Sequence, residues 1–165
     1  MQQRRRAREV ALKVLYALDV LEIDAGDAIE LFWQNFVLPE EDVEGIVLSR
    51  EAQDFSSHLI EGSWERRHDI DRIISICSEH WSISRMSRVD KCILRMAAFE
   101  LLYCPDIPPK VTLNEAIDLG KTYGSENSGS FINGILDALY LKHCEDCKIS
   151  EAPKSDEQKI RTEGH

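Results

Sequence analysis

The chain has 165 residues, with 20 basic against 30 acidic side chains and a net charge of −10. It is long enough to bury a core without metal or disulfide support, and so acidic a molecule repels a polyanion or an anionic membrane except where basic residues cluster. Its five cysteines are odd in number, no apolar run approaches the roughly 18 residues of a membrane span, and no hydrophobic stretch of signal type follows the basic amino end, so the expectation is a reducing cytoplasm.

The one dense positive cluster comes first. Arg4, Arg5, Arg6 and Arg8 lead into apolar residues at Ala7, Val10, Ala11, Val14, Leu15, Leu18 and Leu21, whose steps of three and four predict a first helix with one buried face. At about 100° per residue, Arg5, Leu12 and Tyr16 project nearly opposite that face, with Arg8 alongside, so Leu12 and Tyr16 are expected in water beside guanidinium groups. Asp27 and Glu30 suggest the start of a second helix carrying Ile29, Phe32, Trp33 and Phe36, and a loop is expected from Pro39. Ser49 is a candidate cap for a third helix through Ala52, Phe55, Leu59 and Ile60, with Gly62 weakening it, and a fourth runs through Ile70, Ile73, Ile74 and Cys77. Ser87 opens a fifth along Val89, Ile93, Met96, Ala97 and Leu101, closed by Pro105, Pro108 and Pro109.

Thr112 and Glu115 have the spacing of a capping box, which predicts a sixth helix starting there, burying Leu113, Ala116, Ile117 and Gly120 and stopping at Gly124. Asn127 or Ser128 can cap a seventh with Phe131, Ile132, Ile135, Leu136 and Leu139. The polar residues 142–165 lack periodicity and are expected to be disordered. No alternating β-branched run occurs, so the fold class is all-α, about seven helices in a domain spanning residues 1–141.

No assembled catalytic site is legible, and no cofactor is expected. Glycine-rich phosphate loops and a nucleophile elbow are missing, and the histidines are scattered at positions 58, 68, 80, 143 and 165. His143, Cys144 and Cys147 have metal-like spacing, but tetrahedral zinc needs a fourth ligand, so no metal is expected. Asp71, Glu79, Asp90 and Glu100 read as hydrated helix-surface charges, and Trp33, Trp64 and Trp81 as gap fillers. The arginine row differs, because guanidinium forks bind phosphate and stack on bases, as single-stranded RNA requires. Four phosphate contacts imply a slope of about −3 in log affinity against log salt, a modest affinity that calls for a second surface or protein.

Three segments, RRRAREVALKVLYALDV, RVDKCILRMAAFELLY and IPPKVTLNEAIDLGKTYGSENSGSFINGILDAL, together resemble the NusB family of bacterial transcription factors over residues 4 to about 140. The ordered motifs are R-R-x-A-R-E, D-x-x-I-L-R-x-A-x-x-E-L, N-E-A-x-x-L-x-K and F-x-N-G-x-L-D. The resemblance implies two packed helical half-domains, about 1–65 and 66–141. It also implies binding of the boxA element of ribosomal RNA leader transcripts together with NusE, a small-subunit ribosomal protein, in an RNA polymerase antitermination complex. It assigns Arg4, Arg5, Arg6 and Arg8 to an arginine-rich RNA-binding motif, with Lys121, Asn127, Ser130 and Phe131 near the RNA. Tyr16 and Asp90 fall at or near the NusE surface, which agrees with the projection that exposes Leu12 and Tyr16 as a partner-binding patch, and that patch would bury against a second copy of the chain as readily. Arg95 and Glu100 match recurrent family positions, with an internal ion pair, a cap and a partner contact all open. Ser130 and Asn127 stand where some relatives carry a basic and an acidic residue. Two other readings compete with this non-enzymatic one, an RNA-recognition module acting with a ribosomal RNA methyltransferase and a protein adaptor that binds no RNA.

Overall fold

A computed structural model describes residues 2–24, 26–30, 48–79 and 82–144. The expectations for Phe32, Trp33, Phe36, the loop from Pro39, Trp81, Cys147 and the tail from 145 lie outside these residues. The helices are α1 (Gln2–Leu21), α2 (Arg50–Glu65), α3 (Arg67–Cys77), α4 (Arg88–Tyr103), α5 (Pro109–Tyr123) and α6 (Ser128–Leu139). Residues 26–30 are also helical, a 3₁₀ turn spans Ile83–Arg85, and a π turn, Tyr140–Cys144, extends α6. No strand occurs among the described residues, as the all-α reading requires.

Local chemistry sets most of the helix starts. Ser49 Oγ accepts from the Ala52 N–H at 3.1 Å, and Ser87 Oγ accepts from the Asp90 N–H at 3.1 Å, so both serines cap as expected. Residues 26–30 start differently: the Asp24 carboxylate accepts from the Asp27 N–H, which makes Asp24 the capping side chain. The expected T-x-x-E box does not form. Pro109 already supplies a favourable first helical residue, so α5 begins three residues earlier and Thr112 lies inside it, buried, donating its hydroxyl to Glu100 Oε1 at 3.2 Å. Asn127 holds the N-cap position of α6 without a side-chain cap, while Ser128 Oγ accepts from the Ser125 N–H at 2.8 Å. Gly62 does not weaken α2, which runs on to Glu65.

Helix α4 is the centre of the packing. An unbroken run from Cys92 to Glu100 is buried, which leaves the helix no solvent face there, and it touches α1, α2, α3, α5 and α6. One apolar cluster joins Leu15 and Leu18 of α1 to Leu59 and Ile60 of α2, Ile70 and Ile74 of α3, Phe99 of α4 and Leu136 and Leu139 of α6. Cys77, Cys92 and Cys104 are free thiols, and burial pushes Cys92 up to about 12 and Cys104 up to about 11.

Carboxylates expected to be hydrated are instead structural. Arg95 donates to both Asp71 oxygens at 2.7 Å and to Asp19 Oδ1 at 3.1 Å, which ties α1, α3 and α4 together. Arg88 Nε and Lys91 Nζ also reach Asp19 Oδ2, at 2.8 and 3.0 Å. Burial alone would raise the Asp19 carboxyl, but hydrogen bonds from Lys91 and Arg88 outweigh it and hold the group below its ordinary value. A depressed folded value means stability that is complete above the unfolded carboxylate value and is lost as pH falls through the folded one. Asp19→Asn is therefore expected to cost about 2 kcal/mol at pH 7. Urea denaturation should show the difference from the parent shrinking below about pH 4.

Candidate nucleic-acid interface

The first two turns of α1 emerge between α2 and α5, and the arginine row fans out to both sides. Arg4, exposed, lies over the Phe55 ring of α2 at 4.8 Å, and Arg8 lies over the same ring at 5.2 Å. Arg5 turns the other way, to α5, where Nε meets Glu115 Oε2 at 3.1 Å and Nη2 meets Glu115 Oε1 and Asp118 Oδ2, each at 3.2 Å. Its side chain is still 53% exposed. The hydrogen bond and charge of Glu115 raise the Arg5 pKa above its ordinary value, so it stays cationic. Arg6 Nη1 binds Glu9 Oε2 at 2.6 Å, one turn along α1.

Arg8 corrects the expectation of phosphate contact. It is 2% exposed, and its Nε and Nη2 make a two-point chelate with Glu100 at 2.9 and 2.7 Å. A carboxylate on α4 waits at that level of the core, so the guanidinium points inward. Among the described residues the row therefore faces at least four carboxylates, Glu9, Glu100, Glu115 and Asp118, which match its four charges. The strong local field that the sequence suggests is largely cancelled, and the outward cations are Arg4 and the solvent side of Arg5.

Lys121 adds to them. It lies one turn beyond Asp118 on α5, exposed, with its aliphatic stem lying over Gly129 of α6. A Cβ at position 129 would meet Lys121 Cγ at 3.1 Å, so the absence of a side chain there lets the lysine lie flat against α6. Asn127 and Ser130 are exposed at the same end of α6, whereas Phe131 is half-buried against the core. The structure thus brings Arg5, Lys121, Asn127 and Ser130 to the α1–α5–α6 side, separates Arg4 towards α2 and removes Arg8.

The expected partner residues also sort by burial. Leu12 is 4% exposed and belongs to the core, because α2 and α4 flank α1 on two sides and widen its buried arc beyond one face. Asp90 is 8% exposed in the first turn of α4, with one carboxylate oxygen buried without a hydrogen-bond donor among the described residues. Tyr16 is 41% exposed. Together Leu12, Lys13, Tyr16, Val89 and Tyr123 line a groove of about 210 Å³ where α1, α4 and α5 meet. Arg88 lies 5.9 Å from the Tyr16 ring and Lys13 lies 6.0 Å from the Tyr123 ring, so cations rim the apolar floor. Tyr123 and Val89 were not legible as partner residues, since only tertiary packing joins them to α1.

Among the described residues no helix is long and apolar enough to cross a membrane, and no group of three or more His, Cys, Asp or Glu side chains is placed to hold a metal ion. A NusB family model matches residues 5–141. The chain belongs to the NusB family. The transcription antitermination protein NusB of Syntrophus aciditrophicus is 63% identical over 142 residues, covering 86% of this chain and 82% of its own. The NusB protein of Anaeromyxobacter dehalogenans is 46% identical over 137 residues, covering 83% and 89%. Among solved structures, T. maritima NusB superposes with a TM-score of 0.74 at 36% identity, covering 89% of this chain and 96% of its own. A complex of antitermination factors NusB and NusE with double-stranded RNA matches at TM-score 0.71 and 27% identity, covering 86% and 98%. The NusB family is one of transcription antitermination factors, not enzymes.

Proposed function

We propose that this chain binds the boxA element of ribosomal RNA leader transcripts together with NusE, and in that complex helps RNA polymerase read through terminators in the bacterial cytoplasm. The observation that carries the reading is the set of outward cations in a chain of net charge −10, with Arg5 and Lys121 at the meeting of α1, α5 and α6 and Arg4 on the α2 side of the same helix end. Asn127 and Ser130 beside them offer hydrogen bonds to bases or sugars, and Arg4 on Phe55 offers a face for stacking. A NusB relative of this fold is found with both NusE and RNA, which supports the pairing. The groove at Tyr16 is the proposed NusE seat, its apolar floor and cationic rim suiting a partner that presents an apolar side chain flanked by acids.

With Arg8 buried, about three cations meet phosphate, so the salt slope falls to roughly −2 for a single strand. Replacing Arg4, Arg5 and Lys121 with alanine is expected to flatten that slope nearly to zero and to weaken boxA binding roughly 50-fold in low salt, where phosphate contacts dominate affinity. Fluorescence titration of labelled boxA RNA with and without NusE measures both, with an RNA duplex as comparator. Unchanged affinity and slope in the triple variant, with NusE binding intact, would leave a protein adaptor as the function.

A further inference from the structure

Arg5 is the most accessible guanidinium of the row that also carries native carboxylates, and the balance of charge there is unfavourable to RNA. One cation is matched by Glu115 and Asp118, so the α1–α5 seam carries a formal charge of −1 at the place where a phosphate would arrive. A carboxylate pair and a phosphate make the same two-point demand on a guanidinium and cannot occupy one edge together. The two carboxylates are not equivalent. Glu115 is 13% exposed and chelates Arg5 through both oxygens, while Asp118 is 52% exposed and makes a single contact at 3.2 Å.

The fold does not need the Asp118 contact. Helix α1 is already fixed to α4 and α5 by the buried Arg8–Glu100–Thr112 set, and an exposed ion pair adds little to such an anchor. We infer that Glu115 and Asp118 set the RNA affinity of this seam by occupying Arg5 in the free protein, so that phosphate binds Arg5 only by displacing a carboxylate, Asp118 first. This rests on the RNA-binding reading above. Glu115 keeps its chelate on Nε and Nη2 and holds the guanidinium aimed along α5, the Nη2 hydrogen that Asp118 gives up turns to phosphate, and Lys121, one turn further along, holds the next one. Asp118 is thus an affinity-setting residue, and the free protein resists polyanions that contribute only diffuse charge.

The test titrates labelled single-stranded boxA RNA against the full chain and against Asp118→Asn, Glu115→Gln and the double variant, each with Arg5 intact and with Arg5→Ala. Asp118→Asn is expected to bind about fivefold more tightly, the size of an exposed ion pair, and the gain vanishes in the Arg5→Ala background. Because Asp118 is exposed, its substitution leaves the thermal melt near that of the parent, which separates binding from folding. Unchanged or weaker binding by Asp118→Asn, while Arg5→Ala alone weakens it, overturns the competition and makes the carboxylates orienting groups. Arg5→Ala without effect on affinity or slope fails the RNA reading of the seam itself.

Discussion

Replacing Glu100 with alanine is expected to lower stability by about 3–5 kcal/mol, because it leaves the Arg8 guanidinium charged, buried and unpaired. The pair is 3% and 2% exposed, its contacts are 2.7 and 2.9 Å, and Thr112 adds a third donor to the same carboxylate. Glu100→Gln should cost nearly as much, since an amide supplies no charge and presents a donor where Arg8 needs an acceptor. The double variant Arg8→Met/Glu100→Leu should recover most of the loss, because the large penalty belongs to the stranded charge rather than to the missing attraction. Urea denaturation of the variants tests this, and a loss below about 1 kcal/mol for Glu100→Ala would mean that water reaches the pair.

That pair also marks the boundary of what the sequence makes legible. Helix periodicity, the serine caps at Ser49 and Ser87 and the stop at Gly124 are local, decided within four residues, and they appear where the pattern puts them. Arg8 and Glu100 are 92 residues apart, and Arg5 lies 110 and 113 residues from its two carboxylates. No one-dimensional pattern tells which arginine meets an acid across the core. A helical projection assumes that a helix packs on one side, and α1 packs on two, which is why Leu12 is inside while Tyr16, one turn later, is out. The resemblance to relatives places functional positions on the map but leaves their orientation open, so Arg8 passes as an RNA contact until Glu100 is found beneath it. Of the candidate site, the cluster and its location were readable; its near neutrality was not.

Gly62 shows the same limit from the side of packing, and its variant gives a test in which the sign itself is diagnostic. On helix propensity alone, Gly62→Ala inside α2 should stabilise by about 1 kcal/mol. The surroundings reverse that expectation: a Cβ at position 62 would lie 2.1 Å from Phe99 Cζ, in a ring that is 1% exposed. Phe99 has little room to retreat, since His58 packs edge-on at 5.3 Å and Tyr103 stacks at 5.5 Å. Overpacking of a close-packed core costs about 1–3 kcal/mol, so Gly62→Ala is expected to be destabilising by about that much. Phe99→Leu alone leaves a cavity and destabilises as well, yet it withdraws the ring edge from Gly62. In the double variant the two losses should fall short of their sum by about 1 kcal/mol or more, measured as the coupling energy of the cycle by chemical denaturation. Additive losses would mean that the ring shifts freely on its own, and that the glycine serves some purpose other than the close passage of α2 over α4.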